Sequence, residues 1–166
     1  MRAGPIAVAC LLAVACSERG IVPTEAETVD QFKRDRTGFE AAVRTVTADP
    51  RILRIEREAN GDLSVLPSGA DRDRVASVAS FMERHDILHV WTGGNTDPSV
   101  HFTTFERTGH SRYESRILTY RPDERPPVRV VASTDEEIRR NPAIDHTVYR
   151  SLGDGWYIRA TSVPRD

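Results

Sequence analysis

The segment from Ile87 to Tyr120 reads ILHVWTGGNTDPSVHFTTFERTGHSRYESRILTY. Its apolar residues recur at alternate positions, which is the period of a half-buried β-strand. We predict three strands here, over Ile87 to Trp91, Ser99 to Glu106 and Arg112 to Tyr120. The connections between them are rich in glycine, asparagine, aspartate and proline, so consecutive strands are expected to be antiparallel neighbours in a meander.

The third of these strands carries apolar residues on both of its faces. Tyr113 and Ile117 share one face, whereas Leu118 and Tyr120 fall on the other. Either a β-bulge near Arg116 or burial of both faces of the strand would explain this pattern.

The chain before the meander predicts a long amphipathic helix. Thr24 and Glu27 have the spacing of a capping box, which marks a helix N-terminus. The helix ends before Asp49, and its apolar stripe is Val29, Phe32, Phe39, Val43 and Val46. Arg36 and Gly38 interrupt that stripe, and glycine weakens a helix by about 1 kcal/mol relative to alanine. A kink, or a break into two helices, is therefore expected there.

A hairpin and a second helix are predicted between this helix and the meander. Strand-like runs at 52–56 and 63–66 flank Asn60-Gly61, a dipeptide typical of tight hairpin turns. Asp71 is the predicted cap of the next helix, which ends near His85. The inner face of that helix consists of Val75, Val78, Ala79 and Met82.

The C-terminal part adds a short strand, a short helix and a hairpin. Val128 to Val131 is expected at a sheet edge because prolines flank it. Ser133 and Thr134 begin a helix that Asn141-Pro142 stops within about two turns. A final hairpin is predicted over 147–160.

The predicted fold class is α+β, with one or two helices packed on an antiparallel sheet of about five to seven strands built from hairpins. Helical patterns gather in the front of the chain and strand patterns in the back, which favours this class over alternating βαβ units. We expect a single domain over 24–166, a length sufficient to bury one hydrophobic core.

The first residues of the chain indicate its destination. A charge-free apolar run from Pro5 to Ala15 is too short to span a bilayer and is typical of a cleaved secretion signal. The sequence Leu12-Ala13-Val14-Ala15-Cys16 resembles the lipobox of bacterial lipoproteins. The resemblance implies that residues 1–15 are a signal peptide and that acyl chains are attached to Cys16.

This resemblance also implies a membrane partner and a location. Two or more acyl chains on Cys16 would hold the protein stably on a bilayer. Residues 16–23 would then be a tether, and Ser17 after the cysteine implies the outer membrane, facing the periplasm, in a Gram-negative cell. The alternative is an ordinary signal peptide in which Cys16 is incidental.

Composition argues against several other classes of function. Removing residues 1–15 leaves 22 basic and 25 acidic side chains, so nucleic acid is not predicted as a partner. The basic residues are scattered arginines apart from Lys33, and we interpret them as codon bias and a solvated surface. Cys10 and Cys16 are the two cysteines, which leaves none for a disulfide in the domain. No cofactor is predicted, since the chain lacks a glycine-rich phosphate loop.

Two sets of residues are candidate metal ligands, one by its spacing and one by its residue types. His85 and His89 have the i, i+4 spacing with which zinc peptidases bind a metal on one helical face. In an extended chain they would lie about 13 Å apart, so we interpret them as surface or turn residues. Asn95, Asp97 and Asp154 lack the EF-hand pattern and are interpreted as turn formers. No metal site is predicted.

Three further histidines, His101, His110 and His146, are candidate general bases because imidazole titrates near neutrality. No nucleophile motif such as G-x-S-x-G accompanies them, and no catalytic residue is assigned. The candidate partner face is aromatic and consists of Trp91, Tyr120, Tyr149, Trp156 and Tyr157. Adjacent strand residues point to opposite faces, so one of Trp156 and Tyr157 is expected in the core.

The favoured functional hypothesis is a lipid-anchored lipoprotein of the bacterial cell envelope that acts as a non-enzymatic binding module. An assembly factor, an inhibitor and an immunity protein all fit this hypothesis, and the partner is an unknown envelope protein or ligand. One alternative is a membrane-tethered hydrolase, which requires a cleft where a histidine meets a carboxylate or a serine. Another is a small-ligand carrier, which requires an apolar cavity between helix and sheet.

Overall fold

The computed structural model describes residues 22–58, 61–66, 68–93, 97–121 and 129–165. In these ranges the chain forms an α+β fold, as predicted, with four helices and a seven-stranded antiparallel sheet. The elements in chain order are α1 (Glu25–Arg34), α2 (Arg36–Thr47), β1 (Arg54–Arg57), β2 (Leu63–Leu66), α3 (Arg72–Arg84), β3 (His89–Thr92), β4 (Val100–Thr108), β5 (Arg112–Tyr120), α4 (Thr134–Arg140), β6 (His146–Gly153) and β7 (Trp156–Pro164).

The predicted meander forms the centre of the sheet. The strand order is β2-β1-β3-β4-β5-β7-β6, and each neighbouring pair is antiparallel. Strand β7 returns to pair with β5, which places β6 at one edge and β2 at the other. The predicted hairpins β1–β2 and β6–β7 are both present.

Strand β5 is buried on both faces, and its partner strand carries a bulge. Consecutive residues from Ser115 to Thr119 are all buried. The register of β4 against β5 shifts between Thr103 and Phe105, opposite the position where the pattern of β5 pointed to a bulge. Thr104 is the extra residue, and its hydroxyl donates to the carbonyl of Arg116 at 3.1 Å. Burial of both faces therefore explains the sequence pattern of β5, whereas the bulge lies in the neighbouring strand β4 and β5 itself pairs with β7 in unbroken register.

Helices α1, α2 and α3 cover one face of the sheet around Phe39. This ring is fully buried, and the ring centroids of Phe81 and Phe102 lie 4.9 and 5.3 Å from it. Both pairs are edge-to-face, an arrangement that adds about 0.5–1.5 kcal/mol per pair to the gain from burial. Phe102, Leu118 and Ile158 lie in register across three strands and form the sheet side of this core.

The predicted interruption of the first helix is a complete break at Asp35. Its carboxylate accepts a hydrogen bond from the backbone N–H of Gly38 at 3.0 Å and thereby caps α2. The same carboxylate contacts Nε2 of His85, at the end of α3, at 2.8 Å. A Cβ atom on Gly38 would lie 2.3 Å from Asp35 Oδ2, which explains the glycine. Asp35 thus joins the ends of three helices.

Some predicted features are shorter than expected or lie outside the described residues. The predicted strand Val128 to Val131 is reduced to an isolated parallel bridge between Val130 and Tyr149, and Val128 is not described. Asn60, Asn95 and the predicted signal peptide with Cys16 lie outside the described residues. No helix in the described part of the chain has both the length and the apolar character needed to span a bilayer.

The Asp35 junction leads to a stability prediction. The substitution Asp35→Ala should lower the free energy of unfolding by about 1–2 kcal/mol, because it removes the N-cap of α2 and the partner of His85. Asp35→Asn keeps a capping oxygen and should lose less. Urea unfolding measures both values, and Asp30→Ala on the exposed side of α1 is the control. An Asp35→Ala variant as stable as this control would contradict the assignment.

Candidate functional site

The N-termini of α1 and α4 bind each other's carboxylates. The carboxylate of Glu25 accepts hydrogen bonds from the backbone N–H and, at 2.7 Å, from the hydroxyl of Thr134. In return, Asp135 Oδ2 accepts the backbone N–H of Glu25 at 2.7 Å. The first N–H groups of a helix have no partner within the helix and carry partial positive charge. Each helix therefore supplies the acid that the other helix needs.

Two arginines complete this cluster, one buried and one partly exposed. Arg150 forms an ion pair with Glu25. Arg116 donates to Asp135 Oδ1 at 2.5 Å, to Thr134 Oγ1 at 2.8 Å and to the carbonyl of Pro23 at 3.3 Å. The side chain of Arg116 is only 4% exposed, so the expectation that the arginines lie on a solvated surface is wrong for this residue.

A pocket of about 500 Å³ adjoins the cluster, between α4 and the end of the sheet. We call it the arginine pocket, and its lining includes three arginines, two carboxylates and an apolar wall: Arg112, Arg116, Arg139, Glu114, Asp135, Val22, Pro23, Ile138, Pro142 and Ala160. The volume is within the range of small-molecule sites. Because Val22 and Pro23 line it, the pocket lies directly beside the start of the domain.

The charges of the pocket are unevenly paired. Arg116 is balanced by Asp135, and Glu114 pairs with Arg107. Arg112, in contrast, donates to two uncharged acceptors, the hydroxyl of Ser162 and the carbonyl of Pro142. Within the described residues, no ion pair joins Arg112 or Arg139 to a carboxylate. The pocket therefore carries an excess of positive charge.

On the opposite face of the sheet, His101 lies between two hydroxyl groups. Its Nε2 is 2.8 Å from Ser99 Oγ, and its Nδ1 is 3.1 Å from Thr119 Oγ1. The Trp91 ring stacks on it at 3.6 Å. Burial, followed by the positive charge of Arg159, lowers the pKa of His101 to about 3. The imidazole is therefore neutral at physiological pH, and no carboxylate orients it.

The other histidines each have a separate environment. His89 lies 3.2 Å from Glu106, on a different element from His85, and His146 contacts the carbonyl of Asn141 at 2.7 Å. His110 is exposed in the β4–β5 turn. Among the described side chains, no group of three or more His, Cys, Asp or Glu residues is arranged to hold a metal ion.

The turn residues that were candidate calcium ligands form contacts within the protein. Asp97 accepts the backbone N–H of Ser99 at 2.9 Å. Asp154 pairs with Arg36 at 2.7 Å. These two candidate calcium ligands therefore have protein partners of their own, and Asn95 is not described.

The five aromatic residues of the candidate partner face are divided between the two faces of the sheet. Trp156 is buried in the helix-side core and Tyr120 packs on it at 5.0 Å. Tyr149 and Tyr157 contact each other edge to face at 6.4 Å on the opposite side, where Trp91 also lies. Tyr149 is itself buried. Trp91 and Tyr157 remain the partly exposed members of that side.

Comparison of the chain with protein-family models, with curated proteins and with solved structures found no match. Its functional residues must therefore be identified from their own geometry. The arginine pocket was not predicted from the sequence, although one signal was present. Glu114 and Arg116 lie at the same alternate positions of the strand as Leu118 and Tyr120, so all four side chains point to the same face. Charged residues at core-facing positions mark the place where the apolar core ends and the polar cluster begins.

The helix-terminus cluster should be a large contributor to stability. Glu25→Ala should lower the free energy of unfolding by about 3 kcal/mol, because it leaves Arg150 and the hydroxyl and backbone N–H of Thr134 without their buried acceptor. Glu136→Ala, which removes an exposed carboxylate from α4, should change it by about 0.5 kcal/mol or less. Equal values for the two variants in urea unfolding would refute this role.

His101 should make the fold sensitive to acid. Its folded pKa is about 3 and its unfolded value is 6.5, so the unfolded chain binds the proton first as the pH falls. Stability should decrease by about 1.6 kcal/mol between pH 6.5 and pH 5 through this residue alone. In His101→Gln, the free energies of unfolding that urea unfolding gives at the two pH values should differ by this amount less than in the native chain. The exposed His110→Gln variant should behave like the native chain, and identical pH profiles for all three proteins would disprove the assignment.

Proposed function

We propose that this protein is a lipid-anchored, non-enzymatic binding module of the bacterial cell envelope, and that the arginine pocket is its binding site. The observation that supports this most strongly is the position of the pocket. Its lining includes Val22 and Pro23, the last two residues of the segment 16–23 that would connect the domain to an acylated Cys16. Site and anchor are therefore neighbours in the chain.

The length of the tether limits how far the pocket can lie from the membrane. Six peptide units separate Cys16 from Val22, which corresponds to at most about 21 Å at about 3.5 Å per residue. A protein held by two or more acyl chains would keep the pocket within this distance of the lipid surface. The pocket would then sample ligands in the membrane or close to it.

The hydrolase alternative has one observation in its favour, the 2.8 Å contact between Ser99 and His101. Three properties of the pair weigh against catalysis. Both side chains are buried, the pKa of His101 is far below neutrality, and its second nitrogen meets Thr119 instead of a carboxylate. A general base works best with a pKa near the working pH. We therefore favour a structural role for this pair.

The carrier alternative requires an apolar cavity between helix and sheet. The space between α1–α3 and the sheet is occupied by side chains such as Phe39, Phe102 and Trp156. The arginine pocket lies instead beside α4, and three arginines line it. A site of this composition favours a charged ligand over a wholly apolar one.

The anchor is tested by metabolic labelling of the bacterial protein with a fatty acid. The native chain should incorporate the label and fractionate with membranes, whereas Cys16→Ala should lose both properties because the acceptor thiol is absent. Cys10→Ala is the matched control, since it removes the other cysteine, within the expected leader, and should remain labelled. Label retained by Cys16→Ala, or absent from the native chain, would overturn the proposal.

A further inference from the structure

We infer that the arginine pocket binds the acidic head group of an amphipathic anion, with Arg112 and Arg139 holding the charge and the apolar wall holding the non-polar part. This inference deepens the proposed function and rests on it only for the distance to the membrane. The ligand has a phosphate or carboxylate group at one end and hydrocarbon at the other.

The two arginines come from different elements, β5 and α4. Arg112 projects from β5 and its Nη2 donates to the carbonyl of Pro142, just beyond the end of α4. Arg139 lies in the last turn of that helix and also lines the pocket. Both arginines are therefore at the same end of the pocket. Neither forms an ion pair with a carboxylate in the part of the chain that the structure describes.

Arg139 differs from its neighbour Arg140 in its surroundings. A cation in the last turn of a helix is favoured by the helix dipole whatever its surroundings. Arg140 satisfies that preference and interacts with Glu136 and Glu137 outside the pocket. Arg139 has the same charge at an adjacent position but is part of the pocket lining. Its place in the wall is the feature that points to an anionic ligand.

Arg116 also lines the pocket but does not bind the ligand. It lies four residues from Arg112 on one strand, about 13 Å along the chain. Its charge is already paired with the carboxylate of Asp135, whereas both acceptors of Arg112 are uncharged. Arg116 instead holds the pocket floor in position. The ligand-binding arginines thus project from a braced framework, which lowers the entropic cost of binding.

The apolar part of the pocket lining indicates the chemical class of the ligand. Val22, Pro23, Ile138, Pro142 and Ala160 supply apolar lining. A small inorganic anion would leave this surface exposed to water, whereas hydrocarbon attached to the anion would cover it at a gain of about 25 cal/mol per Å². An anionic phospholipid and a soluble amphipathic acid share this chemistry, and the test separates them.

The experiment uses the chain from residue 16 onward with Cys16→Ala, so that binding does not depend on acylation. Isothermal titration calorimetry measures its affinity for dihexanoyl-phosphatidylglycerol below the micelle concentration and for inorganic phosphate. Sedimentation measures binding to vesicles of phosphatidylglycerol with phosphatidylcholine and to vesicles of phosphatidylcholine alone. The variants are Arg139→Gln, Arg112→Lys and the matched control Arg140→Gln.

The soluble lipid should bind at one site and much more tightly than inorganic phosphate. Arg139→Gln should weaken this binding about tenfold or more, because a charge-assisted hydrogen bond is lost. Arg112→Lys should weaken it by a smaller factor, since charge remains but the forked donor geometry is lost. Arg140→Gln should bind as the native chain does. Circular dichroism of each variant verifies that it is folded.

The vesicle results identify the source of the ligand. Binding to the anionic vesicles that is lost in Arg139→Gln would assign the site to a lipid of the bilayer, whereas binding of the soluble lipid alone would assign it to a free amphipathic acid. No binding of the soluble lipid, equal binding of inorganic phosphate, or equal losses in Arg139→Gln and Arg140→Gln would overturn the inference. A failed labelling experiment at Cys16, in contrast, would remove the anchor and leave this binding result unchanged.

Discussion

Two carboxylates, each of which binds the N-terminus of the other's helix, hold together parts of the chain that are far apart in sequence. Glu25 and Thr134 are 109 residues apart, and their contact joins the start of the helical layer to α4. Because Arg116 and Arg150 project from the sheet into the same cluster, the helices are also attached to β5 and β6. Burying these charges is costly, and their mutual pairing offsets that cost.

This cluster divides the helix-side face of the sheet into two regions. On one side, aromatic rings around Phe39 and Trp156 fill the space between sheet and helices. On the other side, α4 covers the sheet incompletely, and the arginine pocket results. Apolar close packing and ligand access are thus kept apart by a polar boundary. The proposed binding site can carry excess positive charge because it lies beyond the core that stabilises the domain.

Much of the secondary structure followed from local pattern. The capping box at Thr24, the apolar stripe interrupted at Gly38 and the alternating residues of β5 predicted elements that the structure contains. The distribution of the candidate site residues did not follow in the same way. The alternation of side chains between the two faces of a strand can be read from the local sequence. Which of those faces packs against the helices depends on the strand order. The aromatic residues that were predicted to form one face therefore lie on both faces of the sheet. The sequence pattern likewise did not distinguish the scattered arginines from one another, although only some of them line the pocket.

By itself, the amino-acid sequence determined the fold class, the hairpins and the position of the helix break, because periodicity, turn residues and caps act over a few residues. Only the tertiary structure decided that β7 pairs with β5, that Glu25 meets the N-terminus of α4, and that Arg112 and Arg139 share a pocket. These are contacts between residues distant in the chain. They depend on how the layers pack, and no local pattern encodes which charged side chain will find which partner across that packing.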